Sequence, residues 1–233
     1  EISLGLVGSE MCIRDRPKGA RVGIVGAGLS GIELASELRE SRTDLEIILY
    51  DRGPRILRNF PEKLSNYIAK WFRENNVNVV PNSLIDKVEQ GTIYNNGTPE
   101  PVDIVVWTAG IQPVEIVRKL PIDTNKSGRV IVNQYHQVPT YKNVYVVGDC
   151  AALPHAPSAQ LAEVQGDQIA DVLKKQWNHE PLPEKMPELK VQGFLGSLGE
   201  KKGFAYIMDR TVTGRLAHIL KSGVLWLYKY HNG

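Results

Sequence analysis

Glycines 26, 28 and 31 spell G-x-G-x-x-G, a spacing that serves the binding of a dinucleotide through its phosphates. Gly26 permits a tight turn, Gly28 lets the backbone approach a pyrophosphate, and Gly31 lets a helix and a strand pack closely. The amides that open the next helix, at the positive end of its dipole, would then hold the phosphates. A carboxylate follows at the expected distance. Asp51 lies twenty residues after Gly31, placed to accept both hydrogen bonds of an adenosine ribose diol and to repel a 2′-phosphate, which favours NAD over NADP. Arg52 beside it blunts that preference, because a guanidinium pairs with phosphate. Taken without its surroundings, Asp51 is simply a polar strand end.

Such residues need a strand, a turn and a helix in that order. Val22, Ile24 and Val25 form a short apolar run before the glycines, and residues 32–40 continue with helical patterning. LEIILY, residues 45–50, reads as the next parallel strand and ends at Asp51. Pro61 opens a second helix, whose Leu64, Tyr67, Ile68, Trp71 and Phe72 mark a core-facing stripe. NVNVV is a third strand, LIDKVEQ and TIYNNG a hairpin region with Asn96-Gly97 as its turn signal, and VDIVVW (102–107) another buried strand. This order predicts an α/β fold with a Rossmann-like domain over residues 17–110.

After Trp107 the texture changes to TAGIQP, suited to a domain boundary. RVIVN and NVYVVGD read as two further strands, the second buried and ending in Gly148-Asp149, where an open α/β sheet places ligand contacts. A helix is expected from about Ser158 to Trp177, then a linker with prolines 181, 183 and 187. Two short strands, around QGFLGSLG and GFAYIM, and a helix from Gly214 to Tyr230 complete a small α+β domain over 181–233.

Composition bounds the rest. The 233 residues suffice for one or two domains, and a net charge of +2 without a basic block argues against nucleic acid. No apolar run is long enough to span a bilayer. Cys12 and Cys150 have neither redox nor metal spacing, which points to no metal site and to a reducing, cytoplasmic compartment. Residues 1–16 lack the features of a signal peptide and resemble translated sequencing-adapter DNA, so they are set apart as non-native; the alternative is a genuine strand, ISLGLV.

Three segments together resemble the flavoprotein reductases that carry two dinucleotide folds: Gly26 to Glu33, WTAGIQP (107–113), and NVYVVGDCA followed by PSAQLAEVQG (143–166). The AQ-x-A-x-x-Q stretch and the segment from SLG to LKSGVLWLYKYHNG resemble the type II NADH:quinone oxidoreductases. The resemblance implies FAD and NAD as cofactors, NADH as electron donor and a quinone as acceptor. In that family an earlier G-x-G-x-x-G binds the ADP part of FAD. Here the single fingerprint matches the NADH domain, so the expectation is a C-terminal portion of a longer enzyme, with residues 111–180 as part of the FAD domain and little activity alone.

The same resemblance assigns roles. Asp149 would hold the ribitol of FAD, with Gly110 and Gly148 as neighbouring cofactor contacts; the amides of Ala159 and Gln160 would face the flavin N1/O2 edge. Gln160 and Gln165 match glutamines lining the flavin–quinone region, and Glu33 a glutamate near the nicotinamide–flavin contact. Each also has a plain reading: Asp149 a turn cap, the glutamines solvated surface, Glu33 a carboxylate paired with Arg39 or left in water. Cys150 reads as a small buried residue, and His155 and His218 receive no role. The final helix, with Leu216, Ile219, Leu220, Val224, Trp226 and Tyr230, reads as core, the alternative being peripheral contact with an anionic membrane. A homodimer stays open. Other acceptors in the superfamily are a disulfide, a ferredoxin-type protein or oxygen, and an NAD-binding sensor without turnover is the reading from another class.

Overall fold

Alternation of β-branched residues decides how the first sheet is covered. The computed structural model describes residues 18–155, 157–189 and 193–232. They fall into two compact units, one made of the residues up to Ala109 together with those from Gly193 on, the other starting at Gly110.

In the first unit, β1 (Arg21–Val25), α1 (Leu29–Ser41), β2 (Glu46–Tyr50), α2 (Glu62–Glu74) and β3 (Val77–Val80) alternate; an antiparallel ribbon of β4 (Ile85–Glu89), β5 (Thr92–Asn95) and β6 (Thr98–Pro101) precedes β7 (Ile104–Trp107). The parallel sheet has the order β3-β2-β1-β7, with Val22 opposite both Ile47 and Ile104. Val22, Ile24, Ile47 and Leu49 share one core with Ile32, Ala35 and Leu38 of α1 and Leu64, Ile68, Trp71 and Phe72 of α2. The alternate residues Val25, Ile48 and Tyr50 turn to the other face, where Ile93 and Val102 meet them. Gly23 belongs to that packing, because a Cβ there would touch the Tyr50 ring at 3.3 Å. The ribbon turns at Asn96-Gly97, both with positive φ, as a two-residue hairpin turn of this kind requires.

VDIVVW is not fully buried as expected: among the described residues β7 pairs only with β1, and Val105 and Val106 are half-buried while Trp107 is exposed.

The C-terminal part of this unit has three strands, β10 (Gly193–Leu198), β11 (Lys202–Ile207) and β12 (Arg210–Gly214), rather than two. Leu198 and Phe204 join the core of the parallel sheet. The last helix, Arg215–Asn232, crosses this small sheet by close backbone approach: a Cβ on Gly203 would lie 2.8 Å from the His218 nitrogen, and Ala217 is fully buried. A contact made by small residues leaves the large ones outside. Leu216, Ile219, Val224, Trp226 and Tyr230 are exposed, which corrects the reading of this helix as core.

The second unit holds the short α3 (Glu115–Arg118), β8 (Gln137–Val138), β9 (Tyr141–Tyr145), a 3-10 turn at Gly148–Cys150 and α4 (Ala159–Trp177); the C-terminal helix is therefore α5. Two expectations fail here. RVIVN makes no regular strand, since only Val130 forms bridges, with Thr124 and Ala151, and Ile131 is exposed. The strand before Gly148 is not buried either: among the described residues β9 pairs only with the two-residue β8, and Tyr141 and Val144 are exposed. Ser158 caps α4 by accepting from the Leu161 amide, at the expected helix start.

Burial, and secondarily the Glu100 carboxylate that accepts its proton at 2.7 Å, push the Tyr50 phenol well above the ordinary tyrosine range. An unfolded chain loses that proton near pH ~10 while the folded chain keeps it, so this contribution to stability is complete below that pH and declines above it. Between about pH 9 and pH 11, the urea midpoint of the wild type should fall more than that of Tyr50→Phe.

Candidate functional site

The turn between β1 and α1 is shaped by contacts that exclude side chains. Gly26 has φ +110°, and a Cβ on it would lie 3.0 Å from Ala109. A Cβ on Gly31 would fall 1.9 Å from the Gly26 carbonyl oxygen, so the helix can approach the turn only without one. Gly28 differs. It is exposed, it caps α1 through its backbone, and a Cβ on it would meet no atom of the described residues within 4 Å. The close glycines are required by the fold, and the open one faces outward. No side chain caps α1 and no acidic residue occupies its first turn, which leaves the positive helix end available to an anion.

Asp51 is bonded into this turn. Its Oδ2 accepts from the Ala27 amide at 2.8 Å and its Oδ1 from the Gly53 amide at 2.7 Å. The Ala27 carbonyl in turn accepts from the Leu57 amide at 3.2 Å. Sequence reasoning missed Thr108, whose hydroxyl lies 2.9 Å from the Val25 carbonyl and 3.0 Å from that of Gly26 and so holds the turn from the β7 side. Its place directly after the apolar strand, within TAG, was the available signal.

Glu33, one turn into α1, is half-buried. Its Oε1 accepts from the Ser197 amide at 2.7 Å and pairs with Lys221 of α5, which also donates to the Ser197 hydroxyl at 2.8 Å. Arg39 is turned away, donating to the carbonyls of Thr43 and Leu45. Nothing local in the sequence marks a pairing of Ser197 or Lys221 with Glu33 across the chain.

The second unit carries the other group of residues. Gly148 has φ +67°, and its amide donates to Oε1 of Gln165 at 2.6 Å. Gln165 is almost wholly buried, so it supports the turn from inside and is not surface. Asp149 is exposed at that turn, and its carbonyl accepts from Arg129 at 3.2 Å. Ala159 is exposed and Gln160 half-buried at the start of α4, and Gly110, with φ +80°, is exposed. Cys150 is half-buried, a correction to its reading as buried, because it lies in the exposed 3-10 turn. Among the described residues no cluster of His, Cys, Asp or Glu could hold a metal, and no helix is long and apolar enough to cross a membrane.

The structure thus joins Gly26, Gly28, Gly31 and Asp51 into one bonded turn, sets Glu33 on the helix that follows, and joins Gly148 with Gln165. A family model described as pyridine nucleotide-disulphide oxidoreductase matches residues 4–166. The chain belongs to that family. The match takes in residues 4–16 of the segment set apart above, which lies outside the described residues. Among family relatives, the NADH dehydrogenase-like protein YutJ of Bacillus subtilis (strain 168) is 56% identical over 92% of this chain and 60% of its own length. A type II NADH:quinone oxidoreductase of Haemophilus influenzae is 26% identical over 90% of this chain and 52% of its own. The chain therefore spans a little over half the length of these curated relatives. Two solved structures share the fold: a sulfide:quinone oxidoreductase from Aquifex aeolicus, with TM-score 0.78, 18% identity and coverage of 97% of this chain and 61% of that one, and NDH2 from Plasmodium falciparum in complex with NADH, with TM-score 0.73, 16% identity, 88% and 61%.

The bonds made by Glu33 generate a stability test. Glu33→Ala strands the Ser197 amide and leaves Lys221 with only a hydroxyl, so urea unfolding should show a loss of about 1–2 kcal/mol, with Glu33→Gln losing clearly less.

Proposed function

We propose that this chain is the nicotinamide-binding portion, with part of the flavin-binding portion, of an FAD-dependent NADH dehydrogenase that delivers electrons to a quinone. The observation that carries the reading is the contrast between Gly28 and its neighbours. Gly26 and Gly31 are demanded by internal contacts, whereas a Cβ on Gly28 would meet no atom of the described residues within 4 Å. A pyrophosphate is the group that would use that space, facing the uncapped amides of α1. Asp51 would receive the adenosine ribose, with its carboxylate already oriented by the Ala27 and Gly53 amides.

The turn at Gly148–Cys150 fits a flavin in the same terms. Gly148 adopts a conformation that favours glycine, Gln165 holds it from within, and the exposed Asp149 offers acceptors to a polyol. The start of α4 carries no acidic residue in its first turn and so suits the negative charge of a reduced flavin at Ala159 and Gln160. Bound together, the two cofactors would supply hydride transfer and onward electron transfer, while the protein orients them and tunes their electrostatics. Glu33, anchored by Lys221 and Ser197, would keep a carboxylate in place beside the nicotinamide domain for proton or quinone handling. The outward apolar face of α5 supports peripheral membrane contact, where a quinone resides.

Calorimetric titration with NADH tests the nucleotide part. Wild type should bind, more tightly than NADPH, and Asp51→Ala should bind at least about tenfold more weakly. Gly28→Val should abolish binding while keeping wild-type circular dichroism, because a Cβ there meets no atom of the described residues within 4 Å; Gly31→Val should instead disturb the fold itself. Gly28→Val that binds like wild type overturns the site. In the full-length protein, NADH-dependent reduction of a soluble quinone analogue should appear, and Gln160→Ala should lower the quinone step more than NADH affinity. Fast disulfide reduction without quinone activity would reassign the acceptor.

A further inference from the structure

The hairpin turn of the antiparallel ribbon carries a chemistry of its own. Asn96 and Gly97 join β5 to β6, and both are exposed. The Asn96 side-chain amide is held in place, its Nδ2 donating to the Asn82 carbonyl at 3.0 Å and to Oδ1 of Asn95 at 3.1 Å. The Gly97 backbone amide donates to Oδ2 of Asp86 at 2.9 Å. Two groups that can react are therefore consecutive: an amide carbon on one residue and, on the next, a nitrogen whose proton already points at a carboxylate. Glycine leaves that nitrogen unshielded, and even a Cβ on Gly97 would meet no atom of the described residues within 4 Å.

Ring closure between the two is a balanced step. The Gly97 nitrogen bonds to Cγ of Asn96 while its proton passes to Asp86, which acts as a positioned base. The Cγ–Nδ2 bond of Asn96 then breaks, and the nitrogen takes up that proton and leaves as ammonia. Solvent water opens the cyclic imide at either carbonyl, giving an aspartyl or an isoaspartyl residue. Nothing is oxidised or reduced, and water is the sole co-reactant.

The product would be felt at a distance, because the Asn96 amide begins a chain of bonds. Asn82, whose carbonyl it holds, donates its own amide to the Gly53 carbonyl at 2.9 Å, and the Gly53 amide donates to Oδ1 of Asp51 at 2.7 Å. An aspartyl product sets a carboxylate against the Asn82 carbonyl and Oδ1 of Asn95, where an amide donor stood, so attraction becomes repulsion. An isoaspartyl product adds a backbone carbon to a two-residue turn that fixes the pairing of Asn95 with Thr98.

We propose that Asn96 is a site of spontaneous deamidation promoted by Asp86, and that its conversion slackens the Asn82–Gly53–Asp51 chain and lowers affinity for the dinucleotide. The affinity half rests on the reading of Asp51 as a ribose contact; the chemical half does not, so the two fail separately. The intact chain, incubated at mildly alkaline pH and physiological temperature, is sampled by peptide mass spectrometry and by labelling with an isoaspartyl methyltransferase. The mass gain of amide to acid should accumulate at Asn96, together with isoaspartyl label. Asn232-Gly233, the other Asn-Gly pair of the sequence, falls in a separate peptide and is read apart. Asp86→Asn keeps an acceptor for the Gly97 amide but removes the base, and should slow conversion at Asn96 at least about threefold. Calorimetry should show NADH bound about two- to tenfold more weakly by the aged chain and by Asn96→Asp than by fresh wild type. Asn96 that stays an amide overturns the proposal, as does an Asp86→Asn variant that converts at the wild-type rate. Undiminished NADH affinity in both the aged chain and Asn96→Asp overturns the link to Asp51. Fresh wild type that binds no NADH overturns the dinucleotide reading instead, while the mass readings still decide the chemistry.

Discussion

Ala27 is the residue on which the nucleotide-binding unit turns. Its amide is bonded to the Asp51 carboxylate, its carbonyl to the Leu57 amide, and its methyl group is buried in the main core. One residue therefore joins the glycine turn, the end of β2 and the loop after β2. Each such bond is worth about 1 kcal/mol net, somewhat more where the acceptor is charged, so the energy is modest. The effect on geometry is larger. A carboxylate that must meet a ligand is oriented by the same amide that shapes the phosphate turn, so the two recognition elements cannot drift apart independently.

The helix that begins at this turn serves two ends of the unit. At its start, Gly31 sits against the Gly26 carbonyl while Thr108 holds the strand side of the turn. One turn further on, Glu33 reaches Ser197 of β10 and Lys221 of α5. Residues distant in sequence are thus tied to the helix that would hold the phosphates.

Much of this was legible in the sequence because its causes are local. Glycine spacing, an apolar run before it and an acidic strand end are read directly, and they placed β1, α1, β2 and Asp51 as observed. What escaped reading has non-local or atypical causes. The β11–β12 hairpin turns at Met208 and Asp209, both at positive φ, without the Asn-Gly signal that revealed the ribbon turn. RVIVN has a strand's composition but only single bridges on either side, so pairing rather than propensity decided its state. The orientation of α5 depended on Gly203, which invites the helix backbone inward and with it small residues, a preference invisible in the helix's own periodicity. The partners of Glu33 lie more than 160 positions away, beyond any pattern.

The distribution of tryptophan has an optical consequence. Of the four in the chain, Trp71 is buried at 4% exposure in the α2 core, beside Phe72, while Trp107, Trp177 and Trp226 are exposed at 56%, 75% and 65%. Most of the indole surface in the native protein is therefore already in water, and the largest change in surroundings on unfolding falls on Trp71. Trp107 follows Val106 at the edge of the sheet and donates to the Ala109 carbonyl at 2.7 Å, close to the glycine turn. An indole in that position is set to report on the neighbourhood of the phosphate turn.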